Sequence, residues 1–221
     1  MKKLIWIVFA LLLFYIAPAN AYYYAGINAD AIYSFEKDNN EGNSRGLSSG
    51  ITLAYGVDRY FGALKLAIGT EDFSGSSNAS QDSNTFELTA GYRLTPMLST
   101  YIGYRFQNYD FSRSVATRLN ASEQYNSYGI GGAINYPLTR QWLIKTDLFA
   151  YYLSNYFKSD TLSNSGSGFS GGTSVGALYR WRDGIKLSLS YRLQYTNASY
   201  FTGGALDSLD TGLSFSVGKI F

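Results

Sequence analysis

Polar and apolar residues alternate with a period of two along ten stretches of this chain. Successive side chains of a β-strand point to opposite faces, so each stretch predicts a strand with one apolar and one polar face. The first covers residues 23–36. It places Ala25, Ile27, Ala29, Ala31, Tyr33 and Phe35 on one face and Asn28, Asp30, Ser34 and Glu36 on the other. The others cover residues 46–57, 60–71, 85–94, 99–111, 124–136, 141–152, 172–182, 185–196 and 209–221. The ninth is the most regular: Ile185, Leu187, Leu189, Tyr191, Leu193 and Tyr195 alternate with Lys186, Ser188, Ser190, Arg192 and Gln194.

The connections alternate as well. Four are short: Asp58-Arg59, Thr95-Pro96-Met97, residues 137–140, and Asp183-Gly184, the last a strong signal for a two-residue hairpin. The other five, residues 37–45, 72–84, 112–123, 153–171 and 197–205, are polar and are predicted as long surface loops. Alternating strands joined by short turns on one side and long loops on the other are the signature of a transmembrane β-barrel with periplasmic turns. The predicted fold is all-β: an antiparallel up-and-down transmembrane barrel of ten strands, or of eight or twelve if a loop pairs or a strand is misassigned. Closure follows from the solvent. In lipid an open sheet edge leaves backbone groups unpaired, each costing several kcal/mol.

Aromatic residues sharpen this reading. Tyr55, Tyr60, Tyr92, Tyr136, Trp142, Trp181 and Phe221 fall near the short-turn ends, in phase with the apolar residues. Tyr33, Phe35, Phe106, Tyr128 and Tyr195 fall nearer the loop ends. Two such belts are expected where amphipathic rings meet the two headgroup layers, so outer-membrane lipids are the predicted surroundings.

The N-terminus carries a different pattern. Lys2 and Lys3 precede an apolar run over residues 4–17, and Ala19-Asn20-Ala21 fits a small-x-small cleavage site. This reads as a secretory signal peptide over residues 1–21, leaving an outer-membrane barrel over 22–221. The run is shorter than the about 20 residues that a membrane helix needs. Its removal takes two lysines from a chain of 18 basic and 16 acidic residues, so the remainder has no net side-chain charge. That balance argues against a nucleic-acid partner. The chain has no Cys, so no disulfide and no lipoprotein anchor is expected. The predicted location is the outer membrane of a Gram-negative bacterium.

Two stretches carry a resemblance. Residues 209–221 alternate to the end and close on Phe221. Residues 88–106 form a hairpin pattern around Gly91-Tyr92-Arg93 and Gly103-Tyr104-Arg105. Both are similar to segments of small bacterial outer-membrane β-barrels, opacity-type and OmpA-transmembrane-type proteins among them. The resemblance implies a porin-like or structural barrel without a cofactor. It also implies insertion by the barrel-assembly machinery through a terminal strand ending in Phe221. Many members of those families have eight strands, against the ten counted here.

Candidate chemistry is narrow, because the chain has no His and no Cys. The small barrels that are enzymes (surface proteases, palmitoyl transferases, lipid A deacylases and phospholipases) rely as families on histidine, whose pKa suits proton transfer near neutrality. The omptin proteases resemble this chain in having ten strands, but their Asp/His chemistry has no histidine to map onto. No catalytic residue and no metal site is predicted. Only oxygen ligands remain, and Asp38, Glu41, Asp72, Asp82 and Asp160 are scattered without ligand spacing.

The candidates are instead the charges of the polar phase. They are Asp30, Lys65, Arg93, Arg105, Lys145, Asp147, Arg192 and Asp210, with Glu36, Glu71, Glu87, Arg180, Arg182 and Lys186 beside them. Such charges either pair and fill the lumen or line a wet path and set ion preference. Strand order suggests that Arg192 sits between Asp210 and Asp30. Three functions compete: a porin-like or structural barrel passing small solutes, a surface interaction protein or adhesin meeting a surface ligand through its loops, and a lipid- or peptide-modifying enzyme. The missing His and Cys disfavour the third.

Overall fold

A computed structural model describes residues 21–36, 43–74, 79–113, 121–159, 163–200 and 205–221. Its strands are β1 (Ala21–Glu36), β2 (Asn43–Val57), β3 (Tyr60–Ser74), β4 (Ala79–Arg93), β5 (Leu98–Arg113), β6 (Ala121–Pro137), β7 (Trp142–Ser159), β8 (Ser163–Arg180), β9 (Ile185–Tyr200) and β10 (Ala205–Ile220). Each pairs antiparallel with its sequence neighbours, and β1 pairs with β10, which closes the sheet into a ten-stranded barrel. The seam runs from Tyr24 opposite Ile220 to Glu36 opposite Ser208. Phe221 extends it: its N–H donates to the Tyr23 carbonyl at 2.9 Å, and Tyr23 N–H donates to the Phe221 carbonyl at 3.3 Å. A closed ladder of this kind has no sheet edge to expose to lipid.

The burial pattern is inverted relative to a soluble protein. Ile102 and Ile130, opposite one another on β5 and β6, are 65% and 66% exposed. Arg105, Ser127 and Asn155 are buried. The apolar phase therefore faces outward, where lipid is the solvent, and the polar phase faces the lumen.

Aromatic rings cluster at the short-turn end of the wall. Trp142 contacts Tyr179 at 4.8 Å between ring centroids, and Tyr179 contacts Trp181 at 5.7 Å. Tyr60 meets Tyr92 edge-on at 5.1 Å, and Tyr23 meets Tyr55 at 5.3 Å. Tyr136 and Phe221 stand exposed at the same end. A second belt holds Tyr104 against Tyr128 at 5.1 Å and Tyr152 against Phe169 at 5.6 Å. The side chains of Phe35 and Glu36, and residues 1–20 of the predicted signal peptide over 1–21, lie outside the described residues.

The turns show how local sequence sets geometry. Thr95 Oγ1 accepts the N–H groups of Met97 at 3.2 Å and Leu98 at 3.0 Å. Thr139 Oγ1 accepts those of Gln141 at 3.1 Å and Trp142 at 3.0 Å. Leu94-Thr95 and Leu138-Thr139 thus reuse one hydroxyl-capped turn. Asp183 and Gly184 have φ of 61° and 78°, the two left-handed positions a type I′ hairpin requires.

The long polar loops predicted above are corrected by the structure. β7 and β8 run on to Ser159 and back from Ser163, so most of residues 153–171 is a paired hairpin. β3 and β4, and likewise β9 and β10, also continue well into the predicted loops. Backbone hydrogen bonds do not depend on side-chain polarity. A strand that leaves the lipid keeps its pairing while its apolar alternation fades.

Inside the barrel, aromatic rings lie over glycines. Tyr101 faces Gly131 across β5 and β6, and Tyr151 faces Gly129 across β6 and β7. A Cβ at Gly131 would come 2.2 Å from Tyr101 Cζ, and one at Gly129 would come 2.4 Å from Tyr151 Cδ1. Gly131→Ala is expected to cost about 1–3 kcal/mol by overpacking, read as a lower urea midpoint for the heat-modifiable gel shift. In a Tyr101→Ser background the same substitution should cost much less. An equal cost in both backgrounds would show that the ring contact is not the cause.

Candidate functional site

The lumen is built from the polar phase of the strands. At mid-height three consecutive strands present charges in a row: Lys65 on β3 lies opposite Glu87 on β4, and Glu87 lies opposite Arg105 on β5. Arg105 Nε donates to Glu87 Oε2 at 3.0 Å. Lys65 reaches past β2 to Asp30 on β1, with Nζ 2.8 Å from Oδ2. Asp30 also accepts from Asn28 Nδ2 at 3.3 Å and from Ser48 Oγ at 3.4 Å.

Side chains from β7 and β9 lean into this row. Tyr151 of β7 is buried and lies under the Arg105 guanidinium, 4.8 Å from Cζ to ring centroid. Arg192 of β9 stacks over Phe149 at 4.7 Å and donates from Nη2 to Gln194 Oε1. Its Nε is buried without a hydrogen-bond partner. β9 and β4 are five strands apart in either direction round the ring, yet Arg192 is close enough to attract Glu87. Charges on opposite walls therefore act on one another across the lumen at this height.

Arg192 attracts both Asp210 and Asp30, the two acids expected to bracket it, but it does not stand level with either in register. Arg192 lies opposite Gly212, Asp210 lies opposite Gln194, and Asp30 is engaged by Lys65. Strand order identifies neighbours, but the register of the closed sheet decides which residues stand level.

Towards the short turns the lumen becomes basic. Arg93, the last residue of β4, donates from Nη2 to the Tyr22 hydroxyl and from Nη1 to the Asp58 carbonyl at 3.2 Å. Its guanidinium stacks on Tyr22 at 4.9 Å. Lys145 pairs with Asp147 at 3.0 Å, and Ser174 Oγ donates to the same Asp147 oxygen at 3.1 Å. Lys186, beside Arg180 in register, sits over the Tyr24 ring at 5.6 Å. The outer part is acidic, with Glu71, Glu123 and Asp210 in the inward phase. Glu71 accepts from Ser44 Oγ and from Gln81 Nε2, the latter at 2.6 Å. From mid-lumen to the turns the described inward charges are seven basic and three acidic, whereas further out Glu71, Glu123 and Asp210 stand on the inward phase, with Arg113 on the same phase at the end of β5.

Sequence reading overlooked the inward rings Tyr22, Tyr24, Phe149 and Tyr151, because aromatics were assigned to the membrane belts. Parity was the available signal: Phe149 and Tyr151 share the odd-numbered phase of Lys145 and Asp147 on β7. Among the described residues no group of His, Cys, Asp and Glu could hold a metal.

An inverted apolar wall, aromatic belts, a closed even-numbered antiparallel sheet and a charged lumen define a transmembrane β-barrel of the outer-membrane type. Solved structures agree on the fold. The chain is similar to the outer membrane protease OmpT from Escherichia coli, with a TM-score of 0.61 and 9% identity over 93% of this chain and 98% of that one. It is similar to the translocator domain of the autotransporter NalP from Neisseria meningitidis, with a TM-score of 0.54 and 16% identity over 92% of this chain and 89% of that one. It is also similar to the beta domain of the Bordetella autotransporter BrkA, with a TM-score of 0.50 and 11% identity over 91% of this chain and 99% of that one. No protein-family model and no curated protein matches the sequence.

Proposed function

We propose that this barrel resides in the outer membrane after loss of its leader and acts as a porin-like protein with a narrow, charge-lined passage. The passage is constricted at mid-height by Lys65, Glu87, Arg105 and Tyr151 from one side and by Arg192 from the other. One observation carries this reading: from mid-lumen to the turns the described inward bases outnumber the acids seven to three, so the lumen wall is basic towards one mouth. The pairs Lys65–Asp30, Arg105–Glu87 and Lys145–Asp147 still leave bases in excess, and a wall with excess charge acts on ions that travel along it. An eight-stranded barrel is just filled by side chains, and ten strands leave somewhat more room.

The same reading treats the barrel as non-enzymatic. The likeness to a protease concerns the fold, and the chain has no His or Cys to move a proton or attack a substrate. Delivery to the membrane by the barrel-assembly machinery through the strand ending in Phe221 belongs to the same proposal. The surface-interaction reading rests on loop tips at residues 37–42, 75–78, 114–120, 160–162 and 201–204, which lie outside the described residues.

Planar-bilayer conductance tests the passage. Small discrete steps are expected, and Glu87→Ser combined with Arg105→Ser should raise the unit conductance several-fold by removing two crossing side chains. A barrel proven folded by heat-modifiable migration, yet silent with and without these substitutions, would overturn the porin-like reading.

A further inference from the structure

We propose that the short-turn mouth of the lumen is a binding site for small phosphate-type polyanions. Four bases converge there: Arg93 from β4, Lys145 from β7, Arg180 from β8 and Lys186 from β9. Lys186 is repelled by Arg180, Arg93 and Lys145 together. Arg93 stands on the wall opposite Lys186, five strands round the ring, so the repulsion acts across the opening as well as along one wall. Like charges held this close cost energy unless something neutralises them.

Among the described inward residues at this level one carboxylate, Asp147, faces the four bases. Arg93 and Lys186 are held by the Tyr22 and Tyr24 rings and by the Tyr22 hydroxyl, contacts that orient a cation without cancelling it. Asp147 is the inward carboxylate at this level among the described residues, and it is already engaged by Lys145 and Ser174. The bases are also reachable: the Lys145 side chain is 47% exposed, and Arg180 is exposed. Two guanidiniums offer forked donors that match phosphate oxygens, and two ammonium groups add point charges. A ligand with several negative charges on tetrahedral oxygens fits this set better than a single carboxylate does. It would enter from the periplasmic side, where the short turns of such barrels lie.

This inference rests on the inward-facing lumen of the proposed function but not on conduction, so binding is measured directly. Inorganic pyrophosphate is titrated calorimetrically into the protein extracted from outer membranes into a phosphate-free, non-ionic detergent. Saturable binding is expected, and Lys145→Gln with Lys186→Gln should weaken it by about tenfold or more, the loss of roughly one charged contact or more. Lys219→Gln, on the outer wall over Phe221, should leave binding unchanged. Arg180→Gln serves as a second variant should the double substitution fail the heat-modifiability test for folding. Absence of binding, or equal weakening by Lys219→Gln, would overturn the site. Binding that survives in a barrel silent in bilayers would uphold the site while the conducting role falls.

Discussion

Glu87→Leu is expected to destabilise the folded barrel by about 3–5 kcal/mol, the cost of leaving a buried charge without its partner. Arg105 is 7% exposed and spends its Nε on Glu87 at 3.0 Å. Without that carboxylate the guanidinium keeps the Tyr151 ring, but it faces the positive charges of Lys65 and Arg192 with nothing between them. The double variant Glu87→Leu/Arg105→Met should recover most of the loss, because a buried pair replaced by apolar side chains of similar size is often neutral. Urea titration followed by heat-modifiable migration reads both. A single-variant cost below about 1 kcal/mol would place the pair in the range of solvated surface bridges and count against a constriction at this height.

The second large effect lies on the other face of the wall. Leu189→Arg should cost about 2–4 kcal/mol, since a cation is driven into the hydrocarbon midplane. Leu189 is 55% exposed and points outward between Phe215 and Ala177. Ile185→Arg, four residues lower on the same strand and beside the turn, should cost only about 0–1 kcal/mol, because its side chain reaches the headgroups. Arg192 occupies the intervening parity on β9 and already tolerates a charge, since it points into the lumen. Equal costs for Leu189→Arg and Ile185→Arg would mean that depth in the lipid does not govern the outer wall.

The strands were legible because strand physics is local. Ile185 to Tyr195 alternates with Lys186 to Gln194, and that alone assigns outer wall and lumen on β9. Asp183-Gly184 set a hairpin because a type I′ turn needs two left-handed residues, and these residue types adopt that backbone readily. Residues 153–171 misled for the complementary reason. Above the lipid neither face must be apolar, so Ser, Asn and Gly give no phase signal, yet Leu153 still pairs with Gly168 and Asn155 with Gly166.

The lumen was legible as a set of residues and illegible as a set of contacts. Parity alone sufficed to assign Asp30, Lys65, Arg93, Arg105, Lys145, Asp147, Arg192 and Asp210 to the polar phase, and the structure has them on the inward-facing rows. Which of them meet depends on the stagger between strands and on the width of the closed ring. Both are properties of the whole barrel, and no ten-residue window contains them. Lys65 therefore finds Asp30 two strands away, Arg192 stacks on Phe149 while attracting Glu87 from across the lumen, and Arg93 shares the mouth with Lys186 from the far wall. By itself the sequence determined the number of strands, their inward and outward faces and their turns, because these follow from a two-residue period and from local backbone preferences. Only the tertiary structure decided which lumen charges share a height and where the bases gather, because closing ten strands into a ring brings residues distant in sequence to the same level.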